Sequence, residues 1–206
     1  MLKRTSIDFV NKTLKNNPNW KILDIGCGYR PNPYATVIAD IQDFSNYYKD
    51  KKFVKISEKN LPFKDKEFDF VISSHVIEHV EDFEFFIKEL ERISSKGYIE
   101  LPSRLGDNLV FENEKDHLWW FIYDDVNNSL IASKKNQNLE PFLTVSTAKL
   151  FEDIYRESLV IELLWEKEIN LTIDESIGNK NFTKISFLKI VRKYLSKKLR
   201  TVIRKK

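Results

Sequence analysis

Cysteine is nearly missing from this sequence. Cys27 stands alone in 206 residues, so neither an intramolecular disulfide nor a cysteine-rich metal cluster can form. There is no uncharged apolar run of bilayer-spanning length and no recognisable export leader, from which a cytoplasmic protein is expected. Acidic residues are absent from Lys180 to Lys206, where eleven Lys and Arg stand, so the first 179 residues carry a net charge of −8 although the whole chain carries +3. An acidic body is a poor general surface for phosphate backbones, which argues against a specific nucleic-acid partner and leaves polyanion or membrane contact to the tail. Repeats and low-complexity linkers are absent too. With 42% hydrophobic and 13% aromatic residues, the chain can bury one sizeable core. The expected organisation is one domain over residues 1–179 and a basic tail over 180–206.

The apolar pattern alternates between strands and helices. Ile7, Phe9, Val10 and Leu14 recur at helical spacing and stop at Asn16-Asn17-Pro18, which predicts a helix over Thr5 to Lys15. Lys21 to Ile25, Thr36 to Ile41, Phe53 to Ile56, Phe68 to Ser73 and Gly97 to Leu101 read as five short buried strands. Phe83, Phe86, Ile87, Leu90 and Ile93 form the apolar stripe of a helix between the last two. Near-continuously apolar strands alternating with helices point to an α/β fold with a mostly parallel sheet covered on both faces. After Pro102 the pattern changes. Trp119 to Tyr123 and Leu130 to Ala132 flank a polar turn and predict a β-hairpin inside an insertion of about residues 104–140. A helix from Thr147 to Arg156 and an extended stretch from Leu159 to Thr172 follow.

Two local patterns carry chemistry. Asp24-Ile25-Gly26-Cys27-Gly28 places a glycine turn at the carboxyl end of the first strand, where open α/β sheets bind ligands and where glycine lets the main chain approach closely. Asp40 ends the second strand, where a carboxylate can accept both hydroxyl hydrogens of a ribose. The other pattern is His75-x-x-Glu78-His79, which satisfies the H-x-x-E-H signature of one class of zinc peptidases. Cys27, with no basic residue adjacent, reads as a small packing residue rather than a nucleophile.

The segments KILDIGCG, IAD, LPFKDKEFDFVISSHVIEHV and GYIELPS, in this order and spacing, resemble a class I S-adenosylmethionine-dependent methyltransferase of the type 11 kind over residues 20–103. The resemblance implies a Rossmann-like fold whose sheet has seven strands, the last antiparallel, and S-adenosyl-L-methionine as cofactor. It implies that Asp24, Gly26 and Gly28 line the methionine part, that Asp40 holds the ribose and that Ile41 flanks the adenine. Ser57 or Glu58 would approach the adenine amino group, and Ser74 with His75 would close the pocket. This chain departs from the pattern in two ways. Arg30 stands where a third glycine is usual, with only Tyr29 to Thr36 before the second strand, so the first crossover helix should be short or missing. Ser57 stands where aspartate is common.

The resemblance also changes the reading of the histidines. His75 should lie on a turn, so His75 and His79 need not share a face, and no third ligand stands at a recognisable spacing; the expectation is no bound metal. His79 is expected either to bond main chain beside the pocket or to act near the substrate. His117, followed by Trp119 and Trp120, falls where such enzymes carry substrate-facing residues, and the paired rings read as a lining for an apolar or sugar face. His79 and His117 are therefore the candidate catalytic bases, imidazole being the side chain that titrates nearest neutral pH. The acceptor implied is a small molecule or carbohydrate, with O-methylation as the reaction and a similarity to methyltransferases of bacterial surface-polysaccharide biosynthesis. A non-catalytic binding module of the same fold is the rival from another class, and a zinc hydrolase a third reading. In the tail, Leu188, Val191, Leu195, Leu199 and Val202 recur at helical spacing among Lys and Arg, which predicts a basic amphipathic helix. Such a helix either docks on the domain or lies peripherally on the anionic inner face of a membrane.

Overall fold

The computed structural model of the chain describes residues 1–57, 59–178 and 183–203. Its main sheet is built from β1 (Leu2–Arg4), β2 (Ile22–Ile25), β3 (Val37–Asp40), β4 (Lys52–Lys55), β5 (Phe70–Ser74) and β6 (Lys96–Pro102), of which β2, β3, β5 and β6 arise from short, mostly apolar runs. Strands β2 to β6 pair in parallel, with Leu23 opposite Val37, Asp24 opposite Ile72 and Ser73 opposite Ile99. A later strand, β9 (Val160–Glu166), runs antiparallel along β6, and β1 runs antiparallel along β9. The order across this seven-stranded sheet is β1-β9-β6-β5-β2-β3-β4. The outermost strand was not anticipated: it is the chain's own N-terminus, where Leu2 lies opposite Trp165.

Period-two alternation gives the inner strands β2, β3, β5 and β6 two buried faces. Leu23, Val37, Ala39, Val71 and Ile99 pack with Phe83, Phe86, Ile87, Leu90 and Ile93 of α2 (Phe83–Ile93). Their strand neighbours Ile22, Ile38, Phe70, Ile72 and Tyr98 pack with Val10 and Leu14 of α1 (Ile7–Lys15). Both helices begin at a side-chain cap. Ser6 accepts from the Phe9 N–H and Asp82 from that of Phe85, so α1 opens two residues later than its apolar spacing predicts. The crossover from β2 to β3 holds no helix and consists of turns, so the shortening expected at Tyr29 to Thr36 is complete.

The insertion after β6 contains α3 (Arg104–Leu109), α4 (Asn113–Asp116) and the expected hairpin, β7 (Trp119–Asp124) with β8 (Ser129–Lys134). The extended stretch from Leu159 to Thr172 divides into β9 and β10 (Leu171–Ile173). The latter lies parallel to β8 and completes a second, three-stranded sheet. Between hairpin and β9 runs α5 (Val145–Leu159), longer than the Thr147 to Arg156 predicted because Thr144 and Thr147 cap it reciprocally. The chain continues through α6 (Glu175–Gly178) to α7 (Phe187–Ile203). The first turn of α7 is tied down, with the Phe187 N–H donating to Glu140 Oε2 at 2.7 Å. Beyond it, every side chain from 187 to 201 is exposed except half-buried Ser196.

Candidate active site

The ends of β2, β3 and β5 enclose a cavity of about 300 Å³. Gly26, Asp40, Ile41, Gln42, Ile56 and His75 are among its walls, with His79 at the same cavity. Gly26 has φ +73°, and a Cβ built on it would lie 2.2 Å from Val76 Cγ2; any side chain would distort the wall. Asp40 is buried, and its carboxylate accepts from the Gly28 N–H and the Gln42 N–H, both at 2.9 Å. Those two bonds fix its plane and use one lone pair on each oxygen, leaving capacity for two further hydroxyl donors. Asp24, also buried, accepts from the Asn32 N–H at 2.6 Å; burial pushes its carboxyl up to about 7, the Asn32 bond opposing this only in part. Asp24 lies next to the cavity wall rather than within it, as does Gly28. These residues fit an adenosyl group: the glycine leaves space where it is needed, and a pre-oriented carboxylate stands at the end of β3.

The expected floor residues on β5 belong to a network that the sequence did not suggest. His75 follows β5 with φ +54°, a conformation unusual for a non-glycine residue. Its Nε2 lies 3.1 Å from Glu100 Oε1, its Nδ1 3.3 Å from Glu78 Oε1, and Ser74 donates to Glu100 Oε1 at 3.1 Å. Burial lowers the His75 imidazole, but the carboxylates of Glu100 and Glu78 beside it outweigh that and raise the group to about 10. Glu100 is the hub, receiving the Tyr98 hydroxyl and Arg156 as well. Burial raises its carboxyl, and the donors around it overcome that and hold it at about 2. The signal available beforehand was an acid in the otherwise apolar strand GYIELP.

The remaining two histidines meet at the edge of the cavity. Residues Ile77–His79 form one 3₁₀ turn, and the insertion clamps it: the Leu118 N–H donates to Glu78 O at 2.8 Å and Trp119 Nε1 to Val80 O at 3.0 Å. His79 Nδ1 donates to Asp116 O at 2.9 Å, the main-chain bond foreseen for it. His117 is buried, with Nδ1 2.5 Å from Asp107 Oδ1, and its ring stands edge-on to that of His79 with centroids 4.4 Å apart. A carbonyl can only accept, and so can an ionised carboxylate, so both rings carry a proton on Nδ1, and in the neutral form each keeps its lone pair on Nε2.

The other expectations divide. Ile56 walls the cavity while Ser57 beside it is exposed, and Glu58 lies outside the described residues. Trp119 and Trp120 do not line the cavity. Trp120 is buried with Nε1 2.5 Å from Asp107 Oδ2, and Trp119 packs on Phe83; the pair supports the site from behind. The Cys27 thiol is buried and pushed up to about 12, first by burial and then by Asp24 and Asp40, which suits packing and not nucleophilic attack.

Fold and cavity together define an α/β domain built to hold a nucleoside-type cofactor at the strand ends. Residues 23–99 match the family described as a methyltransferase domain, and the order of the seven-stranded, mostly parallel sheet is consistent with the Rossmann-like fold of class I methyltransferases. A curated relative, the ubiquinone biosynthesis O-methyltransferase of Pelagibacter ubique, is 30% identical over 124 residues, which cover 53% of this chain and 50% of that protein. The chain thus spans about half the length of the curated relative it matches. Among solved structures, a Pyrococcus horikoshii protein is similar at 18% identity and TM-score 0.44, covering 78% of this chain and 88% of its own. A Thermotoga maritima protein described as a possible histamine N-methyltransferase shows 12% identity and TM-score 0.43, covering 78% and 90%.

Proposed function

We propose that the protein transfers the methyl group of S-adenosyl-L-methionine to an oxygen on a small-molecule or carbohydrate acceptor. The observation that carries this reading is the juxtaposition of the Gly26/Asp40 cavity with His79, whose ring contacts that of His117. The cofactor supplies an already activated methyl group, so the protein's work is alignment and handling of one proton. Asp40 holds the ribose hydroxyls, Gly26 admits the cofactor to the main chain, and the His79/His117 pair activates the acceptor hydroxyl from the insertion side. The O-methyltransferase relative and the two free Nε2 lone pairs both favour oxygen as the acceptor atom. Incubation with methyl-labelled cofactor and a panel of phenolic and sugar hydroxyl acceptors tests the reading. Label transfer that Asp40→Ala abolishes is expected; cofactor binding without transfer to any acceptor would favour the non-catalytic module.

A second proposal concerns α7. Leu188, Leu195 and Leu199 are 70%, 52% and 63% exposed between Lys and Arg residues, which is the make-up of a helix lying on anionic lipid. The full chain should sediment with anionic but not neutral vesicles and be released by salt of order 0.5 M, where the Debye length falls to a few ångströms. A chain of residues 1–179 should stay in solution and still bind cofactor. Equal sedimentation of the shortened chain would place the lipid contact elsewhere.

A further inference from the structure

The geometry points to a divalent metal site formed by Glu78, His79 and His117 at the edge of the cofactor cavity, where a bound ion would hold the acceptor oxygen. One potential ligand atom from each of the three side chains lies within 4.8 Å of the others. Around a single ion with ligand bonds of about 2.1 Å, such atoms stand roughly 3 to 4 Å apart, so closure needs only a modest inward shift.

The decisive group is Glu78. It is 0% exposed, and neither carboxylate oxygen accepts a hydrogen bond among the described residues. Its charged neighbour, His75 Nδ1, lies 3.3 Å from Oε1 and leaves Oε2 with nothing. A buried carboxylate oxygen with no donor is costly, and a metal ion at Oε2 would complete it. The two imidazoles are prepared in the way that metal-binding histidines are. Each spends Nδ1–H on a fixed acceptor, the Asp116 carbonyl for His79 and the Asp107 carboxylate for His117, which orients the ring and frees Nε2 for an ion. Asp107 is itself fully buried and held by Lys135 Nζ at 2.9 Å and by Trp120 Nε1.

This set differs from the H-x-x-E-H reading of the sequence. His75 is drawn away to Glu100, and the missing third ligand is His117, 38 positions beyond His79, delivered by the insertion. Two imidazoles and one carboxylate suit a first-row ion between Mn²⁺ and Zn²⁺, and three protein ligands leave positions open for a substrate oxygen. His79 is the exposed member of the three and also lines the cofactor cavity, so an open position would be reachable from solvent and from the methyl donor. Built on the methyl-transfer reading, the proposal assigns the ion the activation of the acceptor. The ion lowers the hydroxyl's pKa and the proton leaves to water. The oxygen then forms its bond to the methyl carbon as the carbon–sulfur pair returns to sulfur, giving the methyl ether and S-adenosylhomocysteine.

Calorimetric titration of the metal-stripped full chain with Mn²⁺, Co²⁺ and Zn²⁺ separately, together with the visible absorption of the Co²⁺ form, tests the site. One ion per chain is expected, with affinity at least tenfold weaker in His79→Ala, whose exposed position leaves folding intact, and in Glu78→Gln. Asp107→Asn should weaken it roughly 10- to 100-fold through His117. Cofactor affinity, measured on the same samples, should be unchanged in Asp107→Asn, which lies outside the cavity wall. Normal cofactor binding with no ion bound, or ion binding unaffected by His79→Ala and Glu78→Gln, would overturn the metal site alone. Loss of cofactor binding in the unmodified chain would instead overturn the methyl-transfer reading on which it rests.

Discussion

The central sheet and the insertion divide the labour at the cavity. Strands β2, β3 and β5 supply the cavity wall from residues at their own carboxyl ends, whereas the insertion reaches back over the 3₁₀ turn to bring His117 against His79. The first arrangement depends on local strand-end geometry and the second on contacts between segments 37 to 40 residues apart. Damage to the first should therefore remove cofactor binding, and damage to the second should spare it while removing acceptor chemistry.

The largest effect is expected in the shared core. Ile72→Ala, at a side chain 2% exposed, should cost about 2 to 5 kcal/mol in urea unfolding and weaken both regions together. Should only one region respond, the two would not share a cooperative core.

Next comes the proton on Asp24. Its carboxyl is raised from 3.8 to about 7 in the folded protein, so the native state holds a proton that the unfolded chain has released. Asp24's contribution to stability accordingly falls as pH rises from about 4 to about 7, by a few kcal/mol. Thermal unfolding of Asp24→Asn across that range should show a shallower decline with pH than the unmodified protein. A slope identical in both would remove Asp24 from the account.

Trp120→Phe isolates the insertion. It deletes the indole N–H that bonds the Asp107 carboxylate and should cost about 1.5 to 3 kcal/mol, with methyl transfer reduced at least tenfold and cofactor affinity preserved. Equal loss of both functions would erase the distinction between the regions. Smallest of all is the expected effect of removing α7 beyond its tied-down first turn: with the side chains from 191 to 201 exposed apart from half-buried Ser196, residues 1–190 should unfold within about 0.5 kcal/mol of the full chain.

The same division explains what could be read beforehand. Period-two strands, the α2 stripe, Gly26 and Asp40 were legible because each depends on neighbours in the sequence. The helix-free crossover was legible as well, because eight residues from Tyr29 to Thr36 leave little room for one. What escaped was placement. Leu2 becomes a sheet edge only through Trp165, Glu100 becomes a hub only through His75 and Arg156, and Asp107 matters only through His117, Lys135 and Trp120. The tryptophan pair was read as a binding surface because its spacing is the same whether the rings face a ligand or a core. Of the H-x-x-E-H signature only Glu78 and His79 join the cluster with His117, since the turn at His75 directs that ring toward Glu100.

The central claim is that the Gly26/Asp40 cavity holds S-adenosylmethionine. Calorimetric titration of S-adenosylhomocysteine into the full chain and into Asp40→Ala tests it most directly. Removing two charge-assisted hydrogen bonds, each of roughly 1.5 to 3 kcal/mol, should weaken binding by tenfold or more in a variant whose unfolding transition is retained. Equal affinity in the two proteins, or no binding by the unmodified chain, would contradict the claim.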